Sequence, residues 1–261
     1  MLGTGNAGVT EYFNTCFVIN DEDRFFLVDT GGGNGLMRQL KRSGVPLGKI
    51  KDIFITHRHT DHILGLIWIL RMLSKKARWE EDFKKVSIYG NADVIKLINT
   101  LIGSFFSEKE MEGINSGIDL IQVEDGDEKM IIGHKVRFFD IHSLKADQFG
   151  FSMELSDGRL ACLGDEPYNE SCREYLEEAT WLMHEAFCLY SQADEFKPYK
   201  KFHSTVKDAC ETAEHFGIDN LILYHTEEQT GDKRRDLYTA EGQQYYNGNL
   251  YVPEDLEVIE I

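Results

Sequence analysis

Four potential metal ligands lie within six consecutive residues of the chain, directly after a hydrophobic run. They are His57, His59, Asp61 and His62, in the segment that begins at Phe54. Imidazoles at alternate positions of an extended segment point to the same side, so His57 and His59 can bind one ion together. Asp61 and His62 fall at the start of the next predicted helix, where they can bind a second ion. The residue types and their spacing therefore predict a metal site.

This segment resembles the H-x-H-x-D-H signature of the metallo-β-lactamase superfamily, and the resemblance extends over almost the whole chain. In that superfamily an aspartate after an early strand supports the site, and three more ligands follow later strands. The matching residues here are Asp29 for the supporting aspartate, His142 for the third histidine, Asp165 for the carboxylate that bridges the ions, and His225 for the last histidine. The resemblance implies one ion on His57, His59 and His142, a second ion on Asp61, His62 and His225, and Asp165 between them. The implied cofactors are two zinc ions, with manganese or iron as alternatives.

The same ligand set separates the chain from other branches of the superfamily. Di-iron flavoproteins have a carboxylate at the position of His59. The β-lactamases proper lack the histidine that matches His62, and they use a cysteine ligand. Glyoxalase II shares the ligands, but its additional helical substrate domain has no counterpart in this sequence.

Within the superfamily the chain is most similar to ribonuclease Z and its phosphodiesterase relatives. The opening residues 2–7 and the segment 50–66 match motifs of that group. So do the segments His184-Glu185-Ala186 and His203-Ser204-Thr205, which are absent from most β-lactamase relatives. In the group the glutamate and the later histidine are paired beside the leaving group, and the resemblance implies that role for Glu185 and His203. The alternative is an ordinary ion pair for Glu185, with His203 simply preceding a helix N-cap at Ser204.

The chain departs from ribonuclease Z in the part that clamps tRNA. Processing enzymes of that group insert a basic arm between the third histidine and the bridging aspartate, whereas 23 positions separate His142 from Asp165 here (165 minus 142). The formal net charge of −17 also opposes stable tRNA binding, because affinity for a polyanion comes largely from Lys and Arg. We therefore expect a small-molecule or short single-stranded phosphodiester as the substrate. The cluster of Lys197, Lys200 and Lys201 is either a binding site for a phosphate or sulfate group or a solvated loop.

The chemistry that such a site supports is hydrolysis. Two ions about 3.5 to 4 Å apart can bridge a hydroxide, lower its pKa towards neutrality and polarise the substrate oxygen. Attack in line at phosphorus would use Asp61 to orient the hydroxide and His203, kept protonated by Glu185, to protonate the departing alkoxide. An arylsulfatase, lactonase or thioesterase on the same metals is the alternative. The complete ligand set disfavours a non-enzymatic metal-binding module.

The elements that must position these residues alternate between short strands and helices along the chain. Strands are predicted at 15–20, 25–29, 52–56, 86–89, 136–141, 150–155, 160–164, 221–224 and 256–261. Helices are predicted at 36–43, 63–72, 92–101, 170–177 and 204–216. This mixture fits sheets covered by helices. With the resemblance, it implies an α/β fold of one domain over residues 1–261, a four-layer αββα metallo-β-lactamase sandwich of two mixed β-sheets flanked by helices.

The composition is that of a soluble globular protein, with 42% apolar and 28% charged residues. No run approaches the roughly 20 apolar residues of a membrane span, and the N-terminus lacks the pattern of a signal peptide. We therefore expect a cytoplasmic protein without membrane contact. Five scattered cysteines predict reduced thiols, and the acidic segment 108–128 predicts a solvated face. The oligomeric state is left open, with a homodimer as one option.

Overall fold

The computed structural model describes residues 1–261 and contains two β-sheets and nine α-helices. The strands are β1 Phe17–Asp21, β2 Arg24–Val28, β3 Ile50–Phe54, β4 Val86–Gly90, β5 Ile118–Gln122, β6 Glu128–Ile131, β7 His134–Asp140, β8 Phe149–Leu155, β9 Gly158–Cys162, β10 Trp181–Glu185, β11 Asn220–Tyr224 and β12 Asn249–Tyr251. The helices are α1 Gly35–Ser43, α2 Thr60–Ile63, α3 Leu66–Trp79, α4 Ala92–Phe105, α5 Glu108–Gly117, α6 Arg173–Leu176, α7 Ala193–Phe196, α8 Val206–Phe216 and α9 Arg234–Gly242. The first sheet has the order β1-β2-β3-β4-β5, and the second has the order β12-β11-β10-β9-β8-β7-β6.

Three layers of buried apolar side chains separate four layers of backbone. Between the sheets, aromatic residues of both meet, and the ring centroids of Phe54 and Phe138 are 4.8 Å apart. A second apolar layer packs α3 and α4 against the outer face of the first sheet. A third packs α8 and α9 against the outer face of the second sheet. The predicted αββα sandwich is therefore confirmed.

Strand directions bring several strand ends to one edge of the sandwich. Strands β2 to β5 are parallel to one another, as are β9 to β12. Strand β8 is antiparallel to both β7 and β9, so β7 and β9 run in the same direction. The two sheets meet where Phe149 N, at the start of β8, donates to Thr56 O just after β3 (3.0 Å). The carboxyl ends of β2, β3, β7, β9, β10 and β11 therefore open onto this edge, which we call the site edge.

The predicted helix over 63–72 is wrong at its start, because the chain forms two helices there. Gly65 N donates to Gly31 O (2.9 Å), in the turn that follows β2, instead of continuing the helical hydrogen-bond ladder of α2. A Cβ atom on Gly65 would lie 1.9 Å from Thr30 O. This close approach, which only glycine allows, separates α2 from α3 and fixes both against the site edge.

The strand predicted over 256–261 is also wrong. The last strand to join the second sheet is β12. After β12, the Asp255 carboxylate accepts hydrogen bonds from Thr4 N (3.0 Å) and Phe13 N (2.6 Å). Leu256 follows with a φ of 70°, which is incompatible with an extended strand. The tail therefore lies beside the N-terminus, where the Met1 amino group donates to Glu257 O. Leu256 and Ile259 pack against the apolar core, whereas Val258 is exposed.

Several elements have no counterpart in the sequence patterns, among them α5, α9 and the inner strand β10. Helix α5 occupies the start of the acidic segment, with Glu108 and Glu112 exposed as predicted for a solvated face. Its other face packs on α3 so closely that a Cβ on Gly113 would lie 2.3 Å from Ser74 O. All five cysteines are buried and unpaired. None of the helices has both the length and the apolar character needed to span a membrane.

Candidate active site

Asp29, which follows β2, orients two of the predicted ligands. Its Oδ1 accepts from Thr56 N (2.9 Å), and its Oδ2 accepts from Thr56 Oγ1 (2.8 Å). The same Oδ2 lies 2.7 Å from His62 Nδ1, and Thr56 Oγ1 lies 3.0 Å from His57 Nδ1. An imidazole that donates from Nδ1 in this way can bind a cation through Nε2, and Nε2 of His57 lies 2.8 Å from His59 Nδ1.

Six of the seven predicted ligands gather at the site edge in two groups. The first contains His57, His59 and Asp165, and the second contains Asp61, His62 and His225, with ligand atoms within 4.8 Å of one another in each group. Asp165 contacts both groups. Its Oδ1 lies 3.6 Å from His57 Nε2, and its Oδ2 lies 3.8 Å from His62 Nε2 and 3.6 Å from His225 Nε2. Asp61 Oδ2 lies 3.3 Å and 3.5 Å from Nε2 of His62 and His225.

The chemistry of this cluster fits bound cations. Besides Nδ1 of His225, three buried atoms of the cluster have no hydrogen-bond partner, namely Nε2 of His62, Nε2 of His225 and Oδ1 of Asp165. Buried polar atoms in native proteins are nearly always satisfied, and a cation in each group would satisfy these. Imidazole nitrogens together with carboxylate oxygens are donors that suit zinc, manganese and iron.

The protonation states of the cluster depend on burial and on its two aspartates. Burial lowers the pKa of His57 well below its ordinary value and also lowers that of His59, so both rings present unprotonated nitrogens. Burial also acts against charge on His62, but the carboxylates of Asp29 and Asp61 raise its pKa well above the ordinary value. Burial acts against charge on Asp165 as well, yet the neighbouring histidines lower its pKa well below the usual range. Two ionised aspartates thus face the same small volume, and bound cations would neutralise them.

His142 is the predicted ligand that the structure does not bring into this cluster. Its side chain is 62% exposed, and its Nδ1 lies 3.3 Å from Asp140 Oδ2. Asp140 Oδ1 also accepts from the backbone of His142, so this carboxylate holds the residue on the solvent side. The backbone of His142 nevertheless lies at the site edge, two residues after β7, with a φ of 56°, close to the values of 57° for Asp29 and 59° for His225.

The structure brings Glu185 and His203 together beside the cluster. Glu185 Oε2 lies 3.4 Å from His203 Nδ1, and Glu185 Oε1 accepts from Ser204 N. A ring nitrogen of His203 lies within 4.8 Å of Asp165 and His225 ligand atoms. The helix that follows begins at Val206 with Thr205, not Ser204, as its N-cap. The two segments singled out in the sequence therefore form one corner of the site.

The charge state of this pair differs from the expected protonated imidazole. Burial, followed by the charge of Lys145, lowers the pKa of His203 to about 4. Burial raises the pKa of Glu185 well above its ordinary value. Both shifts favour the uncharged form of the pair, a protonated carboxyl group beside a neutral imidazole, because separating charge between two desolvated groups is costly.

Three residues near this corner were missed by sequence reasoning. Phe187 stacks on the His203 ring, with centroids 4.9 Å apart and an interplanar angle of 11°. Lys145 Nζ lies 3.4 Å from Glu166 Oε1, next along the chain to Asp165. A lone lysine, a lone glutamate and an aromatic residue give no signal in a single sequence, because only the fold places them at the site.

The predicted basic cluster lies at the rim of the same corner. All three lysines of the cluster are exposed. Lys197 Nζ lies 3.4 Å from Asp194 Oδ1, while Lys201 Nζ lies 4.9 Å from the centroid of the Phe187 ring. Lys201 is therefore linked to His203 through the Phe187 ring, which it contacts on one side of the corner.

Comparison with known proteins agrees with this geometry. A family model described as "Anti-Pycsar protein Apyc1" matches residues 1–244. The chain is 24% identical to the ribonuclease Z of Thermococcus sibiricus, over 100% of this chain and 95% of that protein. It is 26% identical to the ribonuclease Z of Methanococcus maripaludis, over 86% of each.

Solved structures share the fold. The metallo-β-lactamase fold protein YhfI from Bacillus subtilis matches with a TM-score of 0.79 and 16% identity, over 97% of this chain and 95% of that chain. Human tRNase Z, short form, matches with a TM-score of 0.75 and 22% identity, over 100% and 97%. The predicted fold, the resemblance to ribonuclease Z and the assignment as an ester-bond hydrolase are thereby confirmed.

Proposed function

The chain belongs to the family of the anti-Pycsar protein Apyc1, and from this premise we propose that it hydrolyses small phosphodiesters at the site edge with two bound zinc ions. The observation that carries this proposal is the Glu185 and His203 pair, 3.4 Å apart and beside Asp165 and His225. A generic metallohydrolase needs only the metal ligands, whereas a phosphodiesterase that expels an alkoxide also needs a proton donor. The similarity to ribonuclease Z supports the same reaction. We also propose a cytoplasmic location for the enzyme.

The proposed ligands divide between two ions. One ion would be held by His57, His59 and His142, the other by Asp61, His62 and His225, with Asp165 shared between them. When bound, the ions supply an activated water and stabilise negative charge on the phosphate oxygens. His142 enters this set through the resemblance and through its backbone position at the end of β7.

The side chains of the protein supply orientation and the proton. Asp61 Oδ2 lies between Nε2 of His62 and Nε2 of His225, where it can accept a hydrogen bond from the attacking water and orient it. His203 donates the proton of its second ring nitrogen to the departing oxygen. Glu185 then delivers its own proton to His203 Nδ1, so the imidazole stays neutral and the negative charge ends on Glu185. This relay suits the protonation state that burial imposes on the pair.

The size of the substrate follows from what lies around the site. The interval from His142 to Asp165 contains only β8, β9 and short connections, and no arm for a large nucleic acid. The net charge of −17 repels extended polyanions. A substrate with a single phosphodiester, such as a cyclic mononucleotide or a dinucleotide, carries too little charge for this repulsion to prevent binding. We therefore propose a small-molecule or short single-stranded phosphodiester, and no stable complex with tRNA.

The test is a substrate panel with the zinc-loaded protein, with Asp165→Ala as the inactive control. The panel contains a cyclic mononucleotide, a dinucleotide, an aryl sulfate, a lactone, a thioester and a precursor tRNA. We expect the highest kcat/KM on the small phosphodiesters and poor tRNA processing at physiological salt. A preference for the sulfate, lactone or thioester would overturn the reaction class, and efficient tRNA cleavage would overturn the proposed size limit.

A further inference from the structure

The loop between β7 and β8, residues 141–148, carries a lysine into the site. The base of the loop is closed by a hydrogen bond from Ile141 N to Gln148 O (2.9 Å). A second bond, from Asn91 Nδ2 to Asp147 O (2.7 Å), fastens it to the first sheet. Between these bonds Leu144 points to solvent with 82% of its surface exposed, whereas the side chain of Lys145 is only 17% exposed. The loop therefore holds Lys145 inward.

The ammonium group of Lys145 has unused donors. Its single charged neighbour is Glu166, with Nζ 3.4 Å from Oε1, and Nζ donates no hydrogen bond within the protein. The same Glu166 oxygen already accepts from Ser143 Oγ (2.6 Å). A lysine ammonium has three N–H donors, and a half-buried one without hydrogen bonds is poised to bind an anion.

Lys145 also lies next to the ligand cluster. Its partner Glu166 is buried and directly follows Asp165 in the chain. Asp165 in turn lies 3.6 Å from His57 Nε2 and 3.6 Å from His225 Nε2, in the two ligand groups. A cation held against Glu166 therefore lies close to the position where the proposed mechanism requires the phosphate group.

We infer that Lys145 binds the non-bridging oxygens of the substrate phosphate, with Glu166 holding its ammonium group in place. This inference rests on the proposed function, because it assumes that the anion bound at the site edge is a phosphate. The interaction would stabilise the negative charge that gathers on those oxygens during hydrolysis. Lys145 is then a substrate-binding residue supplied by the interval in which ribonuclease Z inserts its tRNA arm.

The test measures the dissociation constant of inorganic phosphate by calorimetry on the zinc-loaded protein, with zinc content checked in every variant. Lys145→Met should weaken phosphate binding by about 10-fold to 100-fold, the range for a hydrogen bond to a charged group. Lys145→Arg keeps the charge and should restore most of the affinity. Lys85→Met is the matched control, because Lys85 is also ion-paired, with Asp119, but precedes β4 at the opposite edge. It should bind phosphate like the wild type.

A double variant separates phosphate binding from simple neutralisation of Glu166. If Lys145 only neutralises that carboxylate, Glu166→Gln combined with Lys145→Met should bind phosphate like the wild type. If Lys145 contacts the anion, the double variant should bind phosphate as weakly as Lys145→Met alone. Wild-type affinity in the double variant or in Lys145→Met alone, or no phosphate binding by the wild type, would overturn the inference.

The two proposals fail in different ways. If the wild type hydrolyses phosphodiesters but Lys145→Met binds phosphate with the same affinity as the wild type, the inference is overturned and the proposed function stands. A wild-type enzyme that binds phosphate through Lys145 but prefers another ester class would overturn the function and leave the anion site standing.

Discussion

Three residues of the site edge, Asp29, His142 and His225, share a backbone conformation that their side chains do not favour. Their φ values of 57°, 56° and 59° place them in the left-handed region, which costs about 1 to 3 kcal/mol for a residue other than glycine. Each one lies within two residues of the end of a strand. The turn brings Asp29 and His225 into the site, whereas the His142 side chain is held on the solvent side by Asp140. Sequence could predict that these residues act at the site from their type and order, but it gave no sign of this conformation. Nor could it identify Lys145, because its position depends on the loop after β7.

The first prediction concerns the proton donor. A general acid matters only when the leaving group is basic, so its removal should slow an alkyl phosphodiester far more than a nitrophenyl one. His203→Ala should lose about 100-fold to 10,000-fold in kcat on the alkyl ester, much less on the nitrophenyl ester, and keep its zinc. Equal losses on the two substrates would mean that His203 holds the substrate rather than donating a proton. Loss of zinc would mean that His203 is a ligand.

A second prediction follows from the buried carboxyl group of Glu185, whose pKa is raised above the ordinary value of 4.5 by burial. The folded protein keeps a proton that the unfolded chain releases above that pH, so this residue's contribution to stability falls as pH rises towards the folded pKa. Gln cannot ionise, but it keeps the oxygen that accepts from Ser204 N. The free energy of unfolding of Glu185→Gln, relative to the metal-free wild type, should therefore increase from pH 5 to pH 8. The measurement is urea denaturation of both proteins at each pH. If their free energies of unfolding changed with pH in parallel, Glu185 would be ionised in the folded protein.

At the scale of elements, the site is an assembly of strand ends. Strands that end in apolar runs, such as β3 and β11, are predictable from the sequence, as are the candidate ligands that follow them. Strand β10 is not predicted because Met183, His184 and Glu185 are not typical strand residues, although they are buried in an inner strand of the sheet. The break between α2 and α3 escaped because it depends on a backbone contact with Thr30, which lies far away in sequence.

The break between these helices gives a prediction about packing. Gly65→Ala places a methyl group where the nearest backbone oxygen is 1.9 Å away, so the turn after β2 or the start of α3 must move. We expect a loss of about 1 to 3 kcal/mol in the free energy of unfolding. Zinc binding should also weaken, because Asp29 precedes the displaced turn and Asp61 lies on α2, directly before the break.

Gly103→Ala is the matched control for this variant. Gly103 lies within α4, is exposed, and has no atom within 4 Å of the position of an added Cβ. Alanine there should stabilise the protein by about 0.5 to 1 kcal/mol. If Gly65→Ala unfolded in urea like Gly103→Ala and kept its zinc, the contact with Thr30 would not be what separates α2 from α3.

At the scale of the whole molecule, two sheets converge on one edge, and each contributes part of the ligand set. Asp29, Asp61 and the histidines near β3 belong to the first sheet and its connections, whereas Asp165 and His225 follow strands of the second. The four-layer fold was predictable because the ligand motifs identify the superfamily, not because the periodicity of the elements defines their order. Periodicity alone predicts a strand in the tail after β12, because the sequence does not reveal the hydrogen bonds between Asp255 and the N-terminal segment.

The measurement that tests the central claim most directly is a zinc titration of the metal-depleted protein, with phosphodiester hydrolysis and bound zinc recorded at each step. Asp165 contacts both ligand groups, so filling both groups should be required for full activity. We predict no hydrolysis without metal, activity that saturates near two equivalents of zinc, and loss of zinc from both groups in Asp165→Ala. Hydrolysis by the metal-free protein, or saturation at one equivalent with normal zinc content in Asp165→Ala, would contradict a two-ion phosphodiesterase site.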